Sequence, residues 1–147
     1  MNAVDIIGYP RYKIYPDGRI WSKNIKKFMK YSLSVNGYYA VDLCKNGNQK
    51  HLNIHRLLMQ NFKPDEWNEN LQVDHENRIR TDNSLDNLKM VTSLQNSQNQ
   101  GIRITNTSGH KNICQYKIGK MWRFQKGINK LTYTKCFKTI EQAIEFK

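Results

Sequence analysis

Over the first fifty residues, apolar and polar positions alternate in short runs broken by turn residues. YKIYPDGRIWS sets Pro16-Asp17-Gly18 between two stretches rich in β-branched and aromatic residues, which predicts a hairpin. YYAVDLCK and NQKHLNI meet across Asn46-Gly47, residues that tolerate the positive φ of a tight turn, and predict a second. At Ile54 the period changes. Ile54, Leu57, Leu58 and Phe62 fall at i, i+3, i+4 and i+8, one stripe of a helix of about two turns that must end before Pro64.

In LQVDHENRIRTDNSLDNLKMVTSLQNSQNQ a short apolar strand runs into Asp74-His75, and a polar loop returns the chain to Leu88, Met90 and Val91. Thr92 and Gln95 have the spacing of a capping box, opening a helix that carries Asn96. Residues 101–112, GIRITNTSGHKN, are rich in Ser, Thr, Asn and Gly without periodicity, the composition of a linker or extended arm. ICQYKIG, MWRFQKGI and LTYTKCFK then read as three strands, with Gly119-Lys120 and Asn129-Lys130 in the turns. Thr139 and Gln142 repeat the capping-box spacing before Ala143, Ile144 and Phe146, and no stop signal precedes Lys147.

The expected fold is therefore α+β: N-terminal antiparallel hairpins, a central strand-loop-strand-helix unit, and a small C-terminal three-stranded sheet with a helix. The expected divisions are a β-rich module at 1–50, a central domain at 51–100, a linker at 101–112 and a last domain at 113–147. With 147 residues in all, the core must be modest.

Charge narrows the function. Lys and Arg number 24 against 12 Asp and Glu, a formal net charge of +12, so the partner should be anionic: nucleic acid or an acidic membrane surface. No apolar run reaches membrane-spanning length, and MNAVDIIGYPRY lacks the basic and apolar regions of a signal peptide, so a soluble, intracellular protein without membrane partners is expected. Cys44, Cys114 and Cys136 are odd in number and form no C-x-x-C pair, which indicates neither a disulfide framework nor a structural zinc.

An Asp-His pair at a strand end, followed by a loop and a helix bearing an amide, suits metal-assisted phosphodiester hydrolysis. Asp74 and the Asn96 amide offer oxygen ligands to one hard divalent cation, Mg²⁺ or Mn²⁺. A neutral imidazole at His75 suits the base that takes a proton from the attacking water.

I-HRLL-x-x-x-F at 54–62, VDH at 73–75 and DNSLDNLKMVT-x-x-x-N at 82–96 together resemble the HNH homing endonucleases encoded in phage introns. Upstream, DIIGY-x-x-Y-x-I-x-x-D-G-R-I-x-S is similar to the small β-rich module that often precedes HNH nucleases. The resemblance implies a ββα-metal nuclease at 51–100, with Asp74 and Asn96 as metal ligands, His75 as general base and Asn87 as the residue orienting His75. It also implies a site-preferring DNA endonuclease that nicks one strand per active site and leaves 5′-phosphate and 3′-hydroxyl. SGHKNI, MWRF and KCFKTIEQAIEF from Gly109 onward resemble the AP2-type DNA-binding domain beside some phage HNH nucleases.

On this reading duplex DNA is the partner of a monomeric enzyme. The basic run Lys23, Lys26, Lys27 and Lys30 is expected on phosphate, as is Arg103 in the linker; Arg78 and Arg80 in the loop read equally as DNA contacts that steady the scissile strand and as plain loop charges. Lys117, Arg123, Gln125 and Lys126 are expected to face DNA from the last sheet. His55 reads as a hydrogen-bonded structural histidine rather than a second active-site group, His51 and His110 as surface groups, and Trp21, Trp67 and Trp122 as packing residues. A DNA-binding protein without catalysis, or a protein acting on RNA, would share the charge and the flanking modules; metal-dependent cutting separates the first, and competition between DNA and RNA the second.

Overall fold

A computed structural model describes residues 2–102, 105–116, 121–128 and 131–147. They fall into two compact units, residues 1–100 and 101–147. Among the described residues no helix is long and apolar enough to cross a membrane.

The larger unit opens with β1 (Val4–Ile6), β2 (Tyr9–Ile14), β3 (Ile20–Ser22) and β4 (Lys27–Phe28), an antiparallel sheet in sequence order. The expected turn between β2 and β3 is present. Gly18 holds φ +89° there, and a Cβ at this position would come within 3.0 Å of Ile54 Cγ2, so both the turn and its close seat on the next element require glycine. A second antiparallel sheet contains β5 (Ser32–Leu33), β6 (Tyr39–Lys45) and β7 (Asn48–Asn53). Asn46 (φ 51°) and Gly47 (φ 80°) close β6 onto β7, the left-handed pair expected of a two-residue hairpin. Strands β1, β4 and β5 have only two or three residues each, too short for alternation to reveal them.

Helix α1 (Ile54–Phe62) buries Ile54, Leu57, Leu58 and Met59 and stops two residues before Pro64. Then come β8 (Gln72–His75) and β9 (Leu88–Val91), paired antiparallel, with a 3₁₀ turn at Leu85–Asn87 ahead of β9. Helix α2 (Ser93–Asn99) follows. Its capping box is complete: the Gln95 N–H donates to Thr92 Oγ1 at 3.2 Å, and the Thr92 N–H donates to Gln95 Oε1 at 2.9 Å.

One core serves this whole unit. Ile6, Tyr12, Ile14 and Ile20 of the first sheet meet Val41 and Leu43 of the second, the α1 stripe, and Val73 and Leu88 of the β8–β9 ribbon. The expected boundary between residues 50 and 51 therefore does not separate two bodies. The physical reason is area: a two-stranded ribbon with two short helices cannot bury its apolar face alone, and the N-terminal sheets complete it.

The smaller unit contains β10 (Ile113–Tyr116), β11 (Met121–Ile128) and β12 (Leu131–Phe137), antiparallel in sequence order, and α3 (Ile140–Glu145). Ile113, Phe124 and Ala143 form its buried core, with Trp122 and Phe137 packed on it. The expected turns at Gly119-Lys120 and Asn129-Lys130 lie outside the described residues. The segment expected as a linker is folded into this unit from Thr105 onward. Ser108 is buried, its hydroxyl donating to the Ile113 carbonyl at 2.7 Å and accepting the His110 N–H at 3.0 Å. Asn106 donates to the His110 carbonyl at 3.0 Å and accepts the Ser108 N–H at 2.8 Å. Small polar residues without periodicity can also be a set of side-chain-closed turns, and here they are.

Candidate active site

Strand β8 presents two faces. Val73 and His75 point into the core, 5% and 3% exposed, while Gln72 and Asp74 point the other way. The polar face meets α2, whose Asn96 and Asn99 lie one turn apart on the same side. Asn96 Nδ2 donates to Gln72 Oε1 at 2.7 Å. Asn99 Nδ2 donates to Asp74 Oδ2 at 2.6 Å and lies 3.3 Å from the His75 carbonyl oxygen. The amide in direct contact with Asp74 is thus Asn99, one helical turn beyond the expected Asn96. The repeat of Asn at i+3 on an otherwise polar helix was the sequence signal for it.

The core-facing side carries His75. Its ring is stacked at a tilt with Tyr38, centroids 5.7 Å apart, and meets His55 edge-on at 5.3 Å. Tyr38 and His55 also touch, at 4.7 Å. His55 is 5% exposed and its Nδ1 has no hydrogen-bond partner, so the expected hydrogen-bonded structural histidine is instead a packed wall of the site. Burial first, then the neighbouring His75 and Arg56, push its pKa down to about 3, so it stands neutral beside His75 at any ordinary pH.

The loop between β8 and β9 is tied to itself by side chains. Asn87, 9% exposed, accepts the Asn77 N–H at 2.9 Å and donates to the Asp82 carbonyl at 2.8 Å. Asp82 accepts from the Ser84 hydroxyl at 2.8 Å and from Asn77 Nδ2 at 2.6 Å; these bonds, that of Ser84 first, hold its carboxyl below the usual carboxylate range. The side chain that reaches the His75 ring is Asn83, with Oδ1 3.1 Å from Nε2. The expected orienting residue, Asn87, makes no hydrogen bond to that ring and fixes the loop backbone beside Asn83 instead. No periodic signal marks Asn83, because it sits in an irregular loop.

Among the described residues no three His, Cys, Asp or Glu side chains converge on a metal-sized site. The donors gathered at β8 and α2 are one carboxylate and several amides, an oxygen set that fits a hard divalent cation with open positions for water and phosphate.

Of the expected DNA contacts, Lys26, Lys27 and Lys30 are exposed, whereas Lys23 is engaged by Asp5 at 2.8 Å. Both loop arginines brace the site. Arg78, at φ 64°, donates through Nε to Asn99 Oδ1 at 3.3 Å, and Arg80 donates to the Asn36 carbonyl at 2.7 Å with its guanidinium 5.3 Å from the Tyr38 ring centroid. In the smaller unit, Arg123 and Gln125 share the sheet face opposite α3, where Arg123 lies 5.1 Å from the Tyr116 ring centroid. Lys126 alternates onto the α3 side with Phe124, so it cannot join them on one face. Arg103 and Lys117 lie outside the described residues.

A family profile described as HNH endonuclease matches residues 53–98, the span from the start of α1 to α2. The chain is 33% identical over 122 residues to the DNA endonuclease I-HmuI of Bacillus phage SP01, covering 82% of this chain and 70% of that protein. It is 34% identical over 112 residues to the H-N-H endonuclease F-TflII of Escherichia phage T5, covering 74% of this chain and 56% of that one. A solved structure of the HNH homing endonuclease I-HmuI, from work on its DNA binding and cleavage, superposes on 99% of this chain and 83% of its own, with a TM-score of 0.65 at 25% identity.

Proposed function

The chain belongs to the HNH endonuclease family, in company with phage homing endonucleases, and we propose that it cuts duplex DNA at preferred sites, one strand per active site. Its family uses a divalent metal ion. We infer one Mg²⁺ or Mn²⁺, held by the Asp74 carboxylate and the Asn96 amide oxygen. With Asn96 Nδ2 committed to Gln72, its carbonyl oxygen is the end left to ligate. When bound, such an ion supplies charge to the scissile phosphate and to the departing 3′ oxygen.

The observation that carries this reading is the pair of faces on β8. Adjacent residues put a carboxylate against α2 and an imidazole on the opposite side, each held by its own amide. His75 takes the proton of the attacking water, a role worth about 10²–10⁴-fold in rate. The wall of Tyr38 and His55 keeps its ring from turning, and Asn99 steadies Asp74. Proton removal and attack of the water oxygen at phosphorus break the bond to the 3′ oxygen, which takes a proton from solvent water, leaving 5′-phosphate and 3′-hydroxyl.

The exposed lysines near β4 and the open sheet face with Arg123 and Gln125 are proposed to hold the duplex, the latter in the manner of an AP2-type sheet, by a monomer. The deciding experiment is His75→Ala on supercoiled plasmid in Mg²⁺. Nicking should disappear while a mobility-shift assay still shows binding to duplex DNA; near-normal nicking would end the proposal.

A further inference from the structure

The catalytic base proposed above has a direct partner in a residue to which the motifs assigned no role. We propose that Asn83 is the positioning residue that fixes the tautomer of His75: its Oδ1 accepts the Nε2–H, leaving the Nδ1 lone pair as the proton acceptor. This rests on the reading of His75 as the base.

Three observations converge on it. Asn83 Oδ1 stands 3.1 Å from Nε2 of a ring that is 3% exposed, so the contact is shielded from bulk water. Tyr38 on one side and His55 beside it bar the ring from rotating away, which leaves its edge contact to decide which nitrogen carries hydrogen. His55 offers no competing bond: its unpartnered nitrogen and its ring packing show that it meets His75 through van der Waals contact.

The loop is built to hold Asn83 in place. Asn87 grips the carbonyl of Asp82, the residue immediately before it, and Asp82 in turn binds Ser84, the residue immediately after. Asn87 therefore acts on the base through the backbone, and Asn83 makes the final contact. An amide acceptor is suited to this task. Its carbonyl oxygen can only accept, so it takes the N–H of one ring nitrogen.

A hollow of about 340 Å³ lies against Asn83, between it and Tyr31 and Tyr39. Shortening Asn83 to alanine would let water enter and replace the acceptor, so the informative substitution is Asn83→Leu, which removes the acceptor and keeps the volume. Asn83→Asp keeps the acceptor and serves as the rescue.

The test combines ¹⁵N NMR of the His75 ring in the full metal-free chain at neutral to mildly basic pH with single-turnover cleavage of duplex DNA in Mg²⁺. The parent protein should show His75 with hydrogen on Nε2. Asn83→Leu should lose that single signature and cut about 10²-fold more slowly, with DNA affinity unchanged. Asn83→Asp should restore the signature and most of the rate. Hydrogen on Nδ1 in the parent, or full-rate cutting by Asn83→Leu, overturns the inference while leaving His75 as base intact. Normal cutting by His75→Ala, with the Nε2–H signature present in the parent, instead overturns the base reading, and the catalytic part of this inference with it.

Discussion

The two units of this chain are stabilised by different means. Residues 1–100 close around apolar side chains drawn from two sheets, a helix and a ribbon. Residues 101–147 have Ile113, Phe124 and Ala143 at their centre and rely on the Asn106–Ser108 turns to secure the first strand. The proposed chemistry resides on the first, where His75 is held between the buried ring of His55 and the half-buried ring of Tyr38; the open sheet face, with Arg123 and Gln125, belongs to the second. The lesson is that a reactive side chain needs a rigid surround, whereas a surface that follows a groove can rest on a thin core.

The largest expected effect tests the first half of that contrast. Leu58, fully buried in α1, should cost about 2–5 kcal/mol on truncation to alanine, lowering the urea midpoint of the larger unit and abolishing cleavage at 37 °C. Hydrogen exchange showing the loss confined to residues 101–147 would reverse the comparison. Phe124→Ala should cost about 3 kcal/mol, enough to unfold the smaller unit. DNA affinity should fall while metal-dependent cutting at saturating DNA persists, and loss of both together would show that the units stand or fall as one.

A third effect depends on pH. His55 titrates near 3 in the folded chain against an ordinary 6.5, so the unfolded chain takes up a proton between those values that the folded chain refuses. Its contribution is complete above about pH 6.5 and declines as the pH falls toward 3, by about 1.4 kcal/mol per unit. Urea melts at pH 7 and pH 5 should show that decline, and His55→Phe should make it shallower; an unchanged slope would mean that His55 is not held neutral by packing. The smallest effect is local. Thr92→Ala removes the cap of α2 and should cost about 1 kcal/mol, slowing cleavage more than it weakens binding, because Asn96 and Asn99 both lie on that helix.

Much of the frame was legible in the sequence, and for definable reasons. The Asn46-Gly47 turn, the α1 stripe and the Thr92–Gln95 cap each express a local rule, and each appears at its expected place. What escaped was set by tertiary contact. His55 read as a hydrogen-bonded structural histidine, yet its ring packs on His75 and on Tyr38, which comes from a distant hairpin. Asn83 and Asn99 were hidden among polar neighbours, since only the fold decides which amide reaches which ring or carboxylate. The linker expectation failed because Ser108 and Asn106 close turns through their own side chains, a device that composition cannot distinguish from disorder.

The seat of Gly18 on Ile54 has a practical consequence for anyone recombining such enzymes. The matched motif spans residues 53–98, and a chimera cut at its border would look conservative on paper. It would strip the first turn of α1 of its covering hairpin and leave Ile54 and Leu58 facing solvent on the very helix that carries His55. The smallest transplantable piece is the hundred-residue body with its hairpins attached.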